Sequence, residues 1–531
     1  MTKTWRAFAA AALISLGFLF RFWNLAAQIL GDDEIHTVRA ALRRPVSEIL
    51  VTYQLVDYCI PLTALFRLCL DAGLRLSEMA FRLPALLAGA LLLLVVPGWT
   101  ARRIGWGPAM VLTGLLAISP GLVFYSRIAR PYALVVLLGF GAVAAFDAWW
   151  RRPSWRWGIT YASLAALAAW FHLGAATMVV SPFLFAGTAS LVRRDRRRFF
   201  AVTGLAAATA LGFLAFLVPA RESLQKVVLE KSGRAAVSPA AVLDVLQLLA
   251  GSGRPAVALL AWAAAAAGFV RLLRLDRNLA LLTASVVCGH LAGLLILAPT
   301  GLGAALIFHR YLLVALPWVL LWMAVALGHP WPMGRRAQPA AAVLFLALLL
   351  GTGPLLSARL LHSSFAQHND YLRFYASPPA LQRQQIPRFY RRLAWSPEAG
   401  PVVEYPWIPV WRANRSFYLY QETHGQEVVV APVRPLLADR RLAFRNVAPG
   451  TPEGFLASRA RYLVIHRHLG MEEERLAKAG SHPQPQVLVN FGDLLLNAGR
   501  SMIGRLRRTW GPPDYSDRWI VVWDLKRVRR K

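Results

Sequence analysis

The sequence predicts a polytopic α-helical membrane protein of about eleven transmembrane helices, followed by a C-terminal α/β domain outside the cytoplasm. Three observations predict it. Hydrophobic residues fill 57% of the 531 positions and charged residues only 16%, where a soluble domain carries about 25% charged. The apolar residues fall in blocks of about 18 to 20, the helix length that crosses ~30 Å of hydrocarbon. Basic residues gather in alternate connections between those blocks.

The first block, Ala7 to Trp23, follows Lys3 and Arg6 and resembles the apolar core of a signal peptide, with Ala26-Ala27-Gln28 imitating a cleavage site. It is read as a retained helix, because many more spans follow. The others run Leu83–Thr100, Pro108–Phe124, Pro131–Trp149, Gly158–Phe171, Leu173–Val192, Ala201–Pro219, Pro255–Val270, Leu279–Pro299, Tyr311–Leu327 and Ala340–Leu356. Little more than Phe171-His172 divides the fifth from the sixth. Arg102-Arg103, Arg151-Arg152 with Arg156, Arg193 to Arg198, Arg271 with Arg274 and Arg277, and Arg335-Arg336 all fall on the side of Lys3 and Arg6. The positive-inside rule makes that side cytoplasmic and puts the C-terminus outside, as expected for a bacterial cytoplasmic (inner) membrane. Much of the net charge of +32 lies in these runs, so it argues for membrane lipids rather than nucleic acid as the partner.

Residues 1–356 form the membrane domain. A long first outer loop, 24–82, includes an amphipathic stretch, Pro61–Leu76, suited to the interface plane. A second long outer loop runs Ala220 to Gly253; Tyr125–Arg130, Phe171-His172 and Thr300–Arg310 are short. Residues 357–531 change composition, with apolar runs at Pro401–Tyr405, Glu427–Val430, Arg461–Ile465 and Trp519–Leu525 that read as strands. The cysteines, Cys59, Cys69 and Cys288, make no disulfide framework.

Chemistry concentrates at the outer ends of the spans. Asp32-Asp33-Glu34 places three carboxylates in a row just after a membrane span, a costly arrangement unless solvated, paired or metal-bound. On a helix Asp33 shares a face with His36 and Thr37, and Asp32 with His36. Clustering of like charge raises the pKa of at least one carboxylate and suits it to general-base work; the alternative is a solvated helix cap. The hairpin Tyr125-Ser126-Arg127-Ile128-Ala129-Arg130-Pro131-Tyr132 carries two arginines against the positive-inside trend. The guanidinium fork matches two phosphate oxygens at once, on a substrate or on a lipid headgroup. Phe308-His309-Arg310-Tyr311 repeats the pattern at the tenth span. His172 is a lone histidine at an outer helix end, and His290 lies inside a span. No Walker-type loop, dinucleotide fingerprint, nucleophile elbow or zinc-spaced cluster occurs.

With these residues in place the chain resembles the multi-spanning glycosyltransferases of the C-type fold, which include the protein O-mannosyltransferases and the bacterial enzyme that adds aminoarabinose to lipid A. The likeness rests on the acidic pair Asp33-Glu34 and on Ser77-Glu78-Met79-Ala80-Phe81-Arg82-Leu83-Pro84 opening the second span. Ser126 to Leu134, of the form Ser-Arg-x-x-Arg-Pro-Tyr-Ala-Leu, and Arg310 to Leu313 complete it. It covers most of the membrane portion and little of 357–531. Many relatives carry His-Pro-Pro-Leu-Tyr in the first loop; here that stretch reads Asp57-Tyr58-Cys59-Ile60-Pro61-Leu62-Thr63, with Asp57 as the candidate substitute.

The resemblance implies transfer of a sugar, with inversion, from a polyprenyl-phosphate donor to a glycan, lipid or protein acceptor on the outer membrane face. It makes Asp33 the base, and Glu34 an acceptor-positioning residue or, with Asp33, a ligand of a divalent metal such as Mg or Mn. Arg130 and Arg310 hold the carrier phosphate, and Asp32, His36, Asp57, Arg127, Tyr132, His172, His309 and Tyr311 complete the binding set. The competing readings are a transporter or assembly subunit for lipid-linked glycans, which should show internal repeats and broken helices at the midplane if it is a secondary transporter, and an enzyme that moves whole oligosaccharides.

Overall fold

A computed structural model describes residues 3–23, 25–27, 30, 32–53, 59–231, 237, 239–299, 302, 305–329, 337–357, 386–397, 399–407, 415–433, 439, 441–467 and 485–530. Asp57 and the basic pair Arg335-Arg336 lie outside the described residues, and of Asp32 and Asp33 only the helical backbone is described.

Helix α1 (Lys3–Phe22) leads into α2 (Asp32–Arg43), α3 (Val46–Val51) and α4 (Ile60–Asp71), which occupy the first loop. The spans then follow as α5 (Glu78–Arg103), α6 (Trp106–Ile118), α7 (Pro120–Ser126), α8 (Tyr132–Arg151), α9 (Trp155–Phe171), α10 (Ala175–Val180), α11 (Pro182–Val192) and α12 (Arg196–Leu217). The second loop contains α13 (Arg221–Lys231) and α14 (Pro239–Ala250). After it come α15 (Pro255–Leu275), α16 (Arg277–Leu297), α17 (Ala305–Leu312), α18 (Leu316–Gly328), α19 (Ala337–Thr352) and α20 (Pro354–Ser357).

All eleven apolar blocks lie largely in helix. Among the described residues seven helices are long and apolar enough to cross a membrane, or eight if the bent pair α6–α7 is one span. That pair turns by 59° at Ser119-Pro120, where proline lacks the N–H that would continue the ladder. Helices α9 and α19 are shorter, with 17 and 16 residues.

At the basic end the helices start on side-chain caps: Ser154 accepts from the Trp157 amide, Asp195 from Arg198 and Asp276 from Leu279. Arg103 ties this end together, donating to Asp147 of α8 at 2.9 Å and to Asp276 at 2.5 Å. Small residues bring helices close elsewhere. A Cβ on Gly268 of α15 would fall on the Trp322 carbonyl of α18, and one on Gly107 on the carbonyl of Gly328. The membrane core is aromatic at its centre, with Phe140 and Trp318 stacked at 4.7 Å and Trp99 edge-on to Trp318 at 5.7 Å.

The C-terminal portion holds a five-stranded sheet in the order β2-β1-β3-β5-β4, with β1 (Val402–Trp407), β2 (Val428–Pro432), β3 (Tyr462–His466), β4 (Tyr515–Ser516) and β5 (Ile520–Asp524). The pairings β1–β2 and β1–β3 are parallel, and β3–β5 and β5–β4 antiparallel. All four apolar runs predicted as strands are strands. Alternation sorts their side chains onto two faces. Val403, Val429, Leu463 and Val521 pack with Met502 and Leu506 of the amphipathic helix Pro485–Trp510. Val402, Val430, Val464 and Val522 join a cluster with Ile35 and Val38 of α2 and Leu62 and Phe66 of α4. The sheet is therefore docked on the first loop. Backbone bonds complete the joint: Leu76 N–H donates to Arg441 O at 2.9 Å, and Ala443 N–H to Leu76 O at 3.0 Å. The Glu78 carboxylate accepts the Asn446 amide at 2.8 Å.

Candidate active site

The site builds from α2 outward. Glu34 is buried, and its carboxylate takes Arg82 of α5 by both oxygens, Nε to Oε1 at 2.8 Å and Nη2 to Oε2 at 2.9 Å. Oε1 also accepts the amide of Ala129 at 2.8 Å. One carboxylate thus locks α2, the head of α5 and the hairpin after α7 to each other, in the bidentate geometry that gives arginine pairs their specificity. An uncompensated charge this deep is costly; the pairing is what permits both groups there.

The two hairpin arginines separate. Arg127 turns into the core and donates to the carbonyls of Phe20, Arg21 and Trp23 at 3.0, 3.0 and 2.9 Å. It caps the end of α1, where carbonyls lack intrahelical partners. Arg130 turns the other way, donating from Nη1 to Thr37 Oγ1 at 3.3 Å. Thr37 sits one helical turn after Asp33, on the same face of α2. The Arg130 guanidinium is 6.0 Å from the Tyr132 ring centre and that of Arg310 is 5.3 Å from it, so two cations from distant segments share one aromatic ring.

His172 and Tyr311 close the arrangement. The His172 ring is 5.5 Å from Tyr132 and 5.7 Å from Tyr311. His172 Nδ1 accepts the Gly174 amide at 3.2 Å, which leaves its proton on Nε2. Burial, and after it Arg310, Arg130 and His290, push this imidazole down to about 3, so it is neutral at physiological pH. Tyr132, His172, Gly174, Arg310 and Tyr311 line a cavity whose remaining wall is apolar, from Val135 to Val314. Its volume is about 10 Å³, room for about one water.

His290 of α16 stands behind the cavity residue Tyr311. Its Nε2 lies 2.9 Å from the carbonyl of Tyr311 and its Nδ1 2.7 Å from Thr177 Oγ1. A carbonyl only accepts, so the imidazole proton is on Nε2, and Thr177 Oγ1 also lies 3.0 Å from the Gly174 carbonyl. The histidine thereby pins the backbone of the Arg310-Tyr311 turn.

Of the residues singled out in the sequence, Arg130, Tyr132, His172, Arg310 and Tyr311 come together beside α2. His36 is half-buried on α2. His309 is buried away from the cavity, stacked on Tyr125 at 6.3 Å, where Gly121 leaves room for its ring. The sequence reading missed Arg82, Thr37 and Thr177 as members. Arg82 carried the one usable signal, its place in the Ser77–Pro84 phrase that opens the second span.

A second buried polar cluster lies in the sheet. Glu404 on β1 accepts from the Tyr390 hydroxyl at 2.9 Å and contacts His466 Nε2 on β3 at 2.6 Å. Tyr390 is stacked on Tyr420, at 4.4 Å, and on His424, at 5.4 Å. Burial raises Glu404 to about 8 and lowers His466 to about 3, so at neutral pH a carboxylic acid donates to a neutral imidazole.

Among the described residues no three His, Cys, Asp or Glu side chains gather as a metal site would require. No protein-family model and no curated protein matches the chain. Two solved structures of ArnT from Cupriavidus metallidurans are similar to it. The apo form has a TM-score of 0.43 at 13% identity, covering 98% of this chain and 97% of that one. The form bound to undecaprenyl phosphate has a TM-score of 0.45 at 13% identity, covering 98% of each chain.

Proposed function

We propose that the chain is an inverting glycosyltransferase, moving a sugar from a polyprenyl-phosphate carrier to an acceptor hydroxyl on the outer face of the cytoplasmic membrane. One observation carries this reading: Arg130 and Arg310 converge on Tyr132 beside α2, and Arg130 bonds to Thr37 one turn after Asp33. Two guanidinium groups at the end of membrane helices suit a phosphate whose lipid tail lies in the bilayer.

In the proposed reaction Asp33 takes the proton of the acceptor hydroxyl as its oxygen attacks the anomeric carbon. The new C–O bond forms on the face opposite the phosphate, the old C–O bond breaks, and the electron pair leaves with the carrier phosphate. Arg130 and Arg310 stabilise that charge. His172 offers a neutral Nε2–H donor, which orients a phosphate oxygen without adding a third cation. The apolar wall from Val135 to Val314 suits the first carbons of the carrier. Glu34 acts as a positioning residue. A divalent metal fits poorly at Glu34, whose oxygens already accept from Arg82 and Ala129, and no step is routed through one.

The test is reconstituted protein given a panel of radiolabelled polyprenyl-phosphate sugars, wild type against Asp33→Asn. Donor turnover should fall by about 10²- to 10⁴-fold in the variant, the usual worth of a positioned base. Absence of turnover with every donor, with lipid binding retained in both proteins, would favour the transporter or assembly-subunit reading instead.

A further inference from the structure

A groove separates α9 from α12 at the basic end of the helices. The two helices are parallel neighbours: Gly158 faces Leu205, and further along Gly212 faces Ala162 and Ala166. Near their starts lies an open groove of about 440 Å³ lined by Trp155, Gly158, Ile159, Ala162, Leu205 and Ala208 among others. Its walls are almost wholly apolar, and its head is not. Arg156 lies 5.7 Å from the exposed Trp155 ring. Arg197 stands one turn before Ala201, which lines the groove, and so lies on the groove face of α12. Both arginines are exposed.

Three neighbouring cations are already committed. Arg198 donates to the Trp150 carbonyl and lies 4.2 Å from its ring, Arg193 bonds to Asn278, and Arg151 pairs with Asp147. Arg156, beside the groove residue Trp155, and Arg197, one turn before the groove residue Ala201, stand near the starts of the two helices, where the positive dipole ends also point. A tryptophan at such a head is the residue type that settles at a membrane–water boundary.

We propose that this groove binds an anionic phospholipid of the leaflet at the basic end, with one acyl chain in the channel and its phosphate between Arg156 and Arg197. The site is separate from the cavity at His172. The groove head is at the start of α9 and His172 follows its end, about 25 Å away for 17 residues of helix. The inference therefore does not rest on the transferase reading. Charge complementarity selects the lipid: the run 193–198 holds five arginines and a single acid, Asp195, whose carboxylate is turned to the Arg198 amide.

The experiment titrates the delipidated full-length chain in detergent with palmitoyl-oleoyl phosphatidylglycerol and with the phosphatidylcholine of the same chains, reading bound lipid by native mass spectrometry. Each basic residue near an anionic group is worth about five-fold, so the wild type should prefer phosphatidylglycerol by about ten-fold or more. Arg156→Gln with Arg197→Gln should bring that preference to within about two-fold. Arg102→Gln with Arg274→Gln, exposed arginines elsewhere on the same end, should leave it intact. Ala208→Phe, at an exposed position in the channel, should weaken both lipids together. Equal affinity for the two lipids in the wild type would overturn the proposal. So would a preference lost equally in the control pair, which would mean diffuse charge rather than a site.

Discussion

Glu34 and Arg82, separated by 48 positions in the chain, form a fully buried two-point ion pair at 2.8 and 2.9 Å. The pair decides where α2 stands relative to the hairpin bearing Arg130, because Glu34 also holds the Ala129 amide. Removing either partner strands the other charge, at a cost of about 3–5 kcal/mol. Glu34→Ala and Arg82→Ala should each lower the thermal midpoint strongly. Arg82→Lys, which keeps the charge but loses the fork, should recover only part. A Glu34→Ala protein with an unchanged midpoint would show that α2 is held by its apolar contacts alone.

Arg130 and Arg310 share Tyr132, and their effects should not add. Arg130→Ala or Arg310→Ala alone should raise the KM for the lipid donor by about ten-fold or more, the loss of a charge-assisted bond. The double variant should fall short of the product of the two, since the groups act on one site. The acceptor KM should stay within about two-fold in all three. An equal effect on the acceptor would remove the phosphate role. Arg127→Ala is the contrast: because Arg127 caps α1, its loss should appear in stability more than in donor KM.

The Glu404–His466 pair makes the sheet sensitive to pH in both directions. Glu404 is raised to about 8, so it binds its proton more tightly folded than unfolded. Its contribution is complete below about 4.5 and is lost as pH rises through 8. His466 is lowered to about 3, so its contribution is complete above about 6.5 and is lost as pH falls towards 3. Between about 4.5 and 6.5 the two slopes oppose each other, and above 6.5 only that of Glu404 remains. Stability should therefore fall by about 2 kcal/mol from pH 6.5 to 8. Glu404→Gln, which cannot ionise, should flatten that limb. Denaturant midpoints measured at half-unit pH steps check both statements.

What the sequence revealed and what it concealed divide along one physical line. The bilayer demands runs of apolar residues long enough to cross it, so every helical block was legible, as were the strands with their period of two. Polar groups at span ends were legible as well, because they stand out against such runs; Arg130, His172 and Arg310 were found that way. Partners distant in the chain were not. Arg127 and Arg130 look alike in the hairpin, and only the fold sends one to the end of α1 and the other to Thr37. Glu404 sits alone in an apolar strand, while Tyr390 and His466, which make it tolerable, come from separate segments.

Packing between the spans gives the last prediction. Gly268 of α15 lies against the backbone of α18, with an added Cβ only 1.7 Å from the Trp322 carbonyl. Backbone does not move aside as the tip of a long side chain does. Gly268→Ala must therefore separate the two helices, although alanine is the better helix former by about 1 kcal/mol. Overpacking of this kind costs about 1–3 kcal/mol, so the variant should be destabilised despite its propensity. Gly204 of α12 is the control, with nothing within 4 Å of its added Cβ. Gly204→Ala should be neutral or slightly stabilising. Thermal unfolding of both in the same detergent compares them directly. A Gly268→Ala protein as stable as the wild type would mean that α15 and α18 are not held as closely as their glycine contact requires.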